Sequence, residues 1–192
     1  VGTRLYFSAS DGSAGYELWA HETTNDTSWL VSDIHCCSIS SHSTPEHIVT
    51  VGTRIYFNAE DGNSGHELWA HESTNGTTWL AADIRSGFAH SNPKYLTVVG
   101  TRIYFNANDG GGSGDGLWAH ETTNDTSWQV TNISASPRDS ITIGTRLYFN
   151  AHLADGSTGV EFWAYETTND TSWMVTDIIS GSVGSFPSHF AV

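Results

Sequence analysis

One segment occurs four times in this sequence, and the repetition limits the folds open to the chain more than any other feature. The segment V-G-T-R-L-Y-F-S-A begins at Val1 and returns with small changes at Val51, Val99 and Ile143. Repeats of about 48 residues are typical of arrays and propellers, in which each repeat buries its apolar surface against the next. We therefore expect a single repeat domain, residues 1–192, with repeats at 1–50, 51–98, 99–142 and 143–192.

Each repeat has the pattern of β-strands separated by turns. Apolar and polar side chains alternate from Thr3 to Ala9, as they do along a strand. Further strands are predicted at Glu17–His21 and Ser28–Ile34, after an Asp-Gly turn and a Thr-Asn-Asp-Thr turn. A short fourth strand precedes each later V-G-T-R segment, and these strands are predicted at 47–50, 95–98 and 140–142.

Apolar side chains fall on both faces of these strands, so each small sheet needs cover on both sides. The predicted fold class is all-β, a β-propeller of four four-stranded blades. Repeat 1 has no leading strand, whereas Ser188–Val192 resembles one. This C-terminal strand is expected to complete the first blade, either within one molecule or by donation to a second, which would link copies into a filament or oligomer.

The charge balance excludes several classes of partner. The chain has seven Lys and Arg against 21 Asp and Glu, for a net charge of −14. Such a surface repels nucleic acid and anionic membranes. No apolar stretch is long enough to span a membrane, and the first residues have no signal-peptide pattern, so we expect a mature chain or part of a longer one. Abundant Thr, Ser, Asn, Asp and Gly, with very little Lys, favour an extracellular or cell-surface location.

One short motif recurs at Glu17-Leu18-Trp19 and Glu67-Leu68-Trp69, with variants at Gly116-Leu117-Trp118 and Glu161-Phe162-Trp163. In this motif the sequence resembles the ELWxxDGT repeat family. The resemblance covers nearly the whole chain but departs from the family at the D-G-T triplet, which is Glu22-Thr23-Thr24 here. The resemblance implies secreted or surface-attached proteins with propeller-like folds, mostly without an assigned activity.

An N-glycosylation sequon occupies the same turn in every repeat. The four repeated asparagines and a fifth in another position are Asn25, Asn75, Asn124, Asn169 and Asn132. The Asn-x-Ser/Thr triplet is the acceptor for N-linked glycans in secreted proteins. The same residues also make a good tight turn before a strand, and the sequence leaves both interpretations open.

Other residues suggest ligands less specifically. The aspartates of the Asp-Gly loops are candidate calcium ligands, although Asp-Gly is also common hairpin chemistry; they are Asp11, Asp61, Asp109 and Asp155. Paired tryptophans could stack on sugars or pack the core; they are Trp19/Trp29, Trp69/Trp79, Trp118/Trp128 and Trp163/Trp173. The arginines of V-G-T-R are expected to pair with acids such as the Glu of E-L-W.

The first connector holds a cluster that does not repeat: His35, Cys36, Cys37, His42 and His47. Zinc uses these residue types, but their spacing matches no common zinc motif, which favours an irregular loop. The adjacent cysteines could form a vicinal disulfide, bridge to another chain or remain thiols.

The repetition also argues against catalysis. An enzyme needs an asymmetric set of nucleophile, acid and base at one place, and no nucleophile elbow, phosphate loop or acid pair stands outside the repeated positions. We therefore predict no enzymatic activity and no cofactor, with calcium as the metal that would suit the loops best. The predicted function is an extracellular structural or adhesive protein. The alternatives are a lectin-like propeller that binds polysaccharide or another cell-surface partner, and part of a larger adhesin.

Overall fold

The structure is a computed structural model that describes residues 1–36, 41–111, 115–130, 138–153 and 156–192. These residues form β1 (Arg4–Ala9), β2 (Glu17–Glu22), β3 (Thr27–Ser32), β4 (Glu46–Val51), β5 (Arg54–Ala59), β6 (Glu67–Glu72), β7 (Thr77–Ala82), β8 (Lys94–Val99), β9 (Arg102–Ala107), β10 (Gly116–Glu121), β11 (Thr126–Gln129), β12 (Arg138–Ile143), β13 (Arg146–Ala151), β14 (Glu161–Glu166) and β15 (Thr171–Thr176). Among them there is no helix long and apolar enough to cross a membrane.

The strands form four antiparallel sheets, in which each strand pairs with its neighbours in sequence. Sheet 1 contains β1 to β3, sheet 2 contains β4 to β7, sheet 3 contains β8 to β11 and sheet 4 contains β12 to β15. The predicted all-β class and the four-stranded repeats are confirmed for sheets 2 to 4, while sheet 1 has three strands. Short connections between consecutive strands favour this antiparallel order.

The repeats share one register and one irregularity. Phe7 pairs with Trp19 across β1 and β2, and Trp19 pairs with Leu30 across β2 and β3. The β2–β3 pairing shifts between Leu18 and Trp19, and β6–β7 and β14–β15 shift at the equivalent place. A bulge of this kind increases the local twist and redirects the side chains that follow it.

Both faces of the inner strands are covered, as the sequence predicts. Five consecutive residues of β5, Ile55 to Ala59, are buried, and the same holds for Ile103 to Ala107 of β9. Strand β1 differs, because its residues are only partly covered and Leu5 is 60% exposed. β1 is the edge strand of sheet 1, which gives it a neighbouring strand on one side only.

The chain divides into an N-terminal unit, Val1–Lys94, and a C-terminal unit, Tyr95–Val192. In the N-terminal unit, sheets 1 and 2 share a core built from Leu18, Ile55, Phe57, Ala59 and Trp69. In the C-terminal unit, sheets 3 and 4 share a core that includes Tyr104, Leu117, Leu147, Phe149 and Trp163. Within each unit, then, one sheet supplies the cover that the next one needs.

The predicted C-terminal strand is not formed in this structure. Residues 187–192 belong to none of the described strands, and sheet 1 consists of β1 to β3, so completion of the first blade, within one molecule or by donation to a second, stays a prediction. The segment nevertheless begins like the strands that it was compared with. Phe186 and His189 have positive φ angles, as do Thr44 and His47 at the start of β4. The pair of positive φ angles found at the start of β4 is thus repeated near residue 189, but no strand is formed there.

In repeats 1, 2 and 4, a buried glutamate ties the following connector to its sheet. Glu67, the first residue of β6, is fully buried, and its carboxylate accepts hydrogen bonds from the backbone N–H groups of Ile84 (2.8 Å) and Ser91 (2.9 Å). The Ser91 hydroxyl donates a third bond at 2.5 Å. Glu17 binds Ile34 and Ser43 in the same way, and Glu161 binds Ile178 and Ser185. A buried carboxylate is tolerated only when it is hydrogen-bonded in this way.

Repeat 3 lacks this glutamate and fills its place differently. Gly116 stands at the position of Glu67, and a Cβ added there would lie 2.6 Å from the side-chain nitrogen of Gln129. Gln129 therefore occupies space next to the backbone that a larger residue at 116 would need. The glutamate that closes the connector is a property of repeats 1, 2 and 4.

We predict that Glu67→Ala lowers the free energy of unfolding by about 1–3 kcal/mol, because it removes the acceptor of the Ile84 N–H and leaves the Ser91 N–H and hydroxyl only the His66 backbone oxygen. Urea denaturation followed by tryptophan fluorescence measures the change. Glu46→Ala, at an exposed position on β4, is the control and should change stability by less than about 0.5 kcal/mol. Equal unfolding midpoints for the two variants would contradict the role of Glu67.

Candidate functional site

The four repeated sequons lie in the turn between the second and third long strands of each repeat. We call this turn the Asn turn: residues Thr24–Thr27 in repeat 1 and their equivalents in the other repeats. The residue after Asn has a positive φ angle in every repeat: Asp26, Gly76, Asp125 and Asp170. Asp and Gly are among the residues that adopt this conformation most readily, which explains the local sequence.

Each sequon asparagine is exposed and is held through its carbonyl oxygen. The Thr27 hydroxyl donates to Asn25 Oδ1 at 2.7 Å, and the Thr27 backbone N–H donates to the same oxygen at 3.3 Å. The hydroxyl bond recurs at Asn75, Asn124 and Asn169, with distances of 2.7, 2.7 and 2.6 Å. These bonds use Oδ1 and leave the amide nitrogen, the atom that carries an N-linked glycan, outside the turn's own hydrogen bonds.

A glutamate at the end of the preceding strand supports the Asn turn. Glu22 Oε1 accepts hydrogen bonds from the Thr24 hydroxyl (3.0 Å) and the Thr24 backbone N–H (3.3 Å). Its Oε2 accepts from Arg4 Nε at 3.4 Å. The same set occurs around Glu72, Glu121 and Glu166.

The expected pairing of the V-G-T-R arginines with acids is confirmed, but the partner is this glutamate and not the expected example, the Glu of E-L-W. The reason is the register: Arg4 lies opposite Glu22 across β1 and β2, while Glu17 lies at the far end of the pair. The Arg4 guanidinium also lies 5.5 Å from the centre of the Trp29 ring, a cation–π distance, and the other repeats have the same contact at 5.4 to 5.7 Å.

The arginine side chains also reach the next repeat. Arg4 Nη1 donates to the backbone oxygen of Ser73 at 3.4 Å within the N-terminal unit. Arg102 Nη1 donates to the backbone oxygen of Thr167 at 3.0 Å within the C-terminal unit. In both cases the acceptor lies just before the neighbouring Asn turn. Arg4 and Arg102 thus link the turn of their own repeat to the turn of the following one.

Hydrogen bonding to the glutamate stabilises its charged form. The Thr3 hydroxyl has the largest effect, with help from Thr24 and Arg4, and lowers the pKa of Glu22 to about 2. In repeat 4, Thr145 and then Arg146 lower the pKa of Glu166 to about 2. The turns therefore keep a negative charge over the whole physiological pH range.

The paired tryptophans have different environments. The first of each pair is largely buried, with Trp69 9% and Trp163 6% exposed, and its indole N–H has no acceptor within the part of the chain that is described. The second is more open, with Trp29 36% and Trp173 37% exposed. Because an arginine covers one face of this second ring, only the other face could stack on a sugar.

The Asp-Gly loops use their aspartates as internal acceptors. Asp11 Oδ1 accepts from the backbone N–H groups of Ser13 (2.7 Å) and Ala14 (3.1 Å). Asp61 Oδ1 accepts from Asn63 and Ser64 in the same way, and Asp109 from Gly111. This geometry explains the Asp-Gly pattern without an ion. Asp155 and the fifth sequon, Asn132, lie outside the described residues.

The described histidines of the first connector contact backbone groups, and His35 Nδ1 lies 3.4 Å from the backbone oxygen of His42. His42 Nδ1 accepts the backbone N–H of Tyr16 at 3.0 Å, whereas His47 lies in β4. Cys36 is disulfide-bonded, and Cys37 is outside the described residues. The candidate zinc residues of this connector do not form a metal-ligating group among the described residues.

Sequence reasoning missed a polar ladder beside the Asn turn. His21 faces Ser28 across β2 and β3, with 3.0 Å between His21 Nδ1 and the hydroxyl, and Asp26 lies 3.7 Å from Nε2. Repeat 3 has the same three residue types at His120, Ser127 and Asp125. Repeat 2 lacks the aspartate and repeat 4 lacks the histidine. A search for cross-strand partners of the E-L-W-A-H-E histidine would have found this ladder.

Comparison with known proteins indicates the fold only. No protein-family model matches the sequence, and no curated protein is significantly similar to it. Among solved structures, TolB from Acinetobacter baumannii is 14% identical, with a TM-score of 0.59 over 94% of this chain and 43% of its own. A puromycin hydrolase is 10% identical, with a TM-score of 0.66 over 93% of this chain and 28% of its own. The computationally designed Ika8 protein is also 10% identical, with a TM-score of 0.58 over 95% of this chain and 49% of its own. The chain spans less than half the length of each.

We predict that the Asn-turn glutamates make the protein sensitive to acid. Their folded-state pKa values lie below the ordinary value of 4.5, so their stabilisation is complete above pH 4.5 and is lost as the pH falls towards 2. Circular dichroism melts of the wild type and of Glu166→Gln across this range measure it. The stability difference between them should shrink as the pH falls, and a constant difference would contradict the prediction.

Proposed function

We propose that this chain is an extracellular, N-glycosylated β-propeller module with a structural or adhesive role and no enzymatic activity. The observation that carries the proposal is the fourfold repetition of the Asn turn. Four exposed sequon asparagines have the same hydrogen bonds and the same backbone geometry. A tight turn alone could be built from many residue combinations, whereas a glycan acceptor needs the triplet at an exposed site.

The need to cover both faces of each sheet supports the proposed propeller. Consecutive antiparallel sheets that are apolar on both faces pack well when they are stacked as blades. Within each unit, the described sheets do pack on each other through such a core. The likeness to TolB and to the Ika8 protein is a likeness of fold and supports the same architecture.

A structural or adhesive role suits the distribution of the functional residues. Binding to a repeated partner, or coating by glycans, can use four equivalent sites, whereas catalysis needs one asymmetric site. The net charge of −14 disfavours nucleic acid and anionic membranes as partners. The ELWxxDGT resemblance, which implies secreted and surface-attached proteins, agrees with this role.

The direct test is to analyse glycans on the protein secreted by a eukaryotic host. We expect peptide mass spectrometry after peptide-N-glycosidase treatment to find Asn25, Asn75, Asn124 and Asn169 converted to Asp. Thr27→Ala should remove the glycan at Asn25 only, while Thr27→Ser keeps the hydroxyl and should keep the glycan. A secreted protein without a glycan at any of the four turns would contradict the proposal.

A second test concerns location. We expect antibodies against the purified chain to label intact source cells, or the material around them, without permeabilisation. Antibodies against a cytoplasmic marker provide the control for membrane integrity. Labelling by the anti-chain antibody only after permeabilisation would contradict an extracellular role even if the turns can be glycosylated in a host cell.

A further inference from the structure

Three metal-ligating side chains meet in the N-terminal unit, away from the Asn turns. Glu60 follows β5 directly, His66 precedes β6 directly, and His90 lies in the connector before β8. One ligand atom from each lies within 4.8 Å of the others. This group, which we call the Glu60 cluster, is the only one of its kind among the described residues.

The separations within the cluster suit an ion better than a hydrogen bond. Glu60 Oε2 lies 3.8 Å from His66 Nε2, beyond hydrogen-bonding distance. Two ligands bound tetrahedrally to one Zn²⁺ at about 2.0–2.1 Å are about 3.3 Å apart. A small inward movement of the side chains would therefore place both atoms at ligand distance. His66 Nδ1 is buried and has no hydrogen-bond partner among the described residues, so it does not hold the ring in another position.

The surrounding backbone fixes two of the ligands. The buried Glu67 binds Ser91, and the backbone oxygen of His66 accepts hydrogen bonds from the N–H groups of Ser91 and Asn92, both at 3.1 Å. These bonds join the segment that carries His66 to the segment that carries His90. Preorganised ligands lose less entropy on binding an ion.

The third ligand, Glu60, is also held in place. Its backbone N–H donates to the oxygen of Ser43 at 3.1 Å, and its Oε1 lies 3.7 Å from His35 Nδ1. The side chains of His35, Glu60 and His66 are each about a quarter exposed. His35 Nδ1 also lies 3.4 Å from the His42 backbone oxygen, and it neighbours Glu60 Oε1 while His66 Nε2 neighbours Oε2. A residue beside a ligand in this way can orient it, as second-layer residues do around metal ions.

Comparison with repeat 1 shows what the fold itself requires. The equivalents of Glu60, His66 and His90 are Ser10, Tyr16 and His42. His42 accepts the backbone N–H of Tyr16 at 3.0 Å, just as His90 accepts that of His66 at 2.9 Å. The histidine of the connector is therefore explained by the fold in both repeats, whereas Glu60 and His66 are not, because Ser and Tyr serve in their place.

We propose that Glu60, His66 and His90 bind a divalent transition-metal ion of the zinc class, with His35 orienting the Glu60 carboxylate. Two imidazoles and one carboxylate are a common zinc set, and imidazole ligands favour zinc, copper and nickel over calcium and magnesium. His90 is exposed, so its ring can exchange the hydrogen bond from His66 for the metal ion. Three protein ligands leave a fourth position open to water.

The test uses the full chain, freed of metal with a chelator, and Co²⁺ as a spectroscopic probe. We expect one Co²⁺ per chain, with visible absorption bands of a four-coordinate site, and displacement of Co²⁺ by Zn²⁺.

The variants Glu60→Ser and His66→Tyr copy the residues of repeat 1 and should therefore fold, as circular dichroism can check. Each should weaken binding by at least about tenfold, and His35→Ala should weaken it by a factor of about 10 to 100.

His42→Ala is the matched control, because His42 makes the same backbone bond as His90 but lies outside the Glu60 cluster. It should leave Co²⁺ affinity unchanged. The proposal is overturned if the wild type gives no cobalt spectrum, or if Glu60→Ser and His66→Tyr bind the ion as tightly as the wild type. It is also overturned if His42→Ala weakens binding as much as His66→Tyr does.

Discussion

A buried carboxylate on the second strand of three repeats holds the connector that follows the sheet, and much of the remaining structure depends on it. Glu17, Glu67 and Glu161 are completely shielded from solvent. Each accepts one N–H from the end of the third strand region and one from the connector before the next repeat. An unpaired carboxylate at such a position would destabilise the fold, so the sheet and its connector must form together.

In repeats 1, 2 and 4, the buried glutamate and the Asn turn lie at opposite ends of the second strand of the repeat. At one end the glutamate positions the connector, and in repeat 2 this brings His66 and His90 together beside Glu60. At the other end, the arginine, the second glutamate and the partly exposed tryptophan hold the Asn turn. The repeated sequence thus specifies a rigid frame, and the sites that differ between repeats are placed on it.

The strands were predictable because alternation and turn residues are local signals. The Asn turns were equally predictable, since the residues of the sequon are contiguous in the sequence.

Partners across the sheet were not predictable, because register depends on where each hairpin ends: Arg4 was expected to meet an acid such as Glu17 but lies opposite Glu22. The Glu60 cluster joins residues from two loops that are about 30 positions apart, which no local pattern reveals. The C-terminal strand stays a prediction, because a strand needs a partner as well as a suitable sequence.

Amide hydrogen exchange tests the buried glutamates most directly. The N–H groups of Ser43, Ile84 and Ile178 lie outside the strands, yet each donates to a buried carboxylate. We predict that they exchange as slowly as amides in the centre of β5 and β6, while the exposed Gly87 in the same connector as Ile84 exchanges rapidly. If the three amides exchange as fast as Gly87, the glutamates do not hold the connectors and the account is wrong.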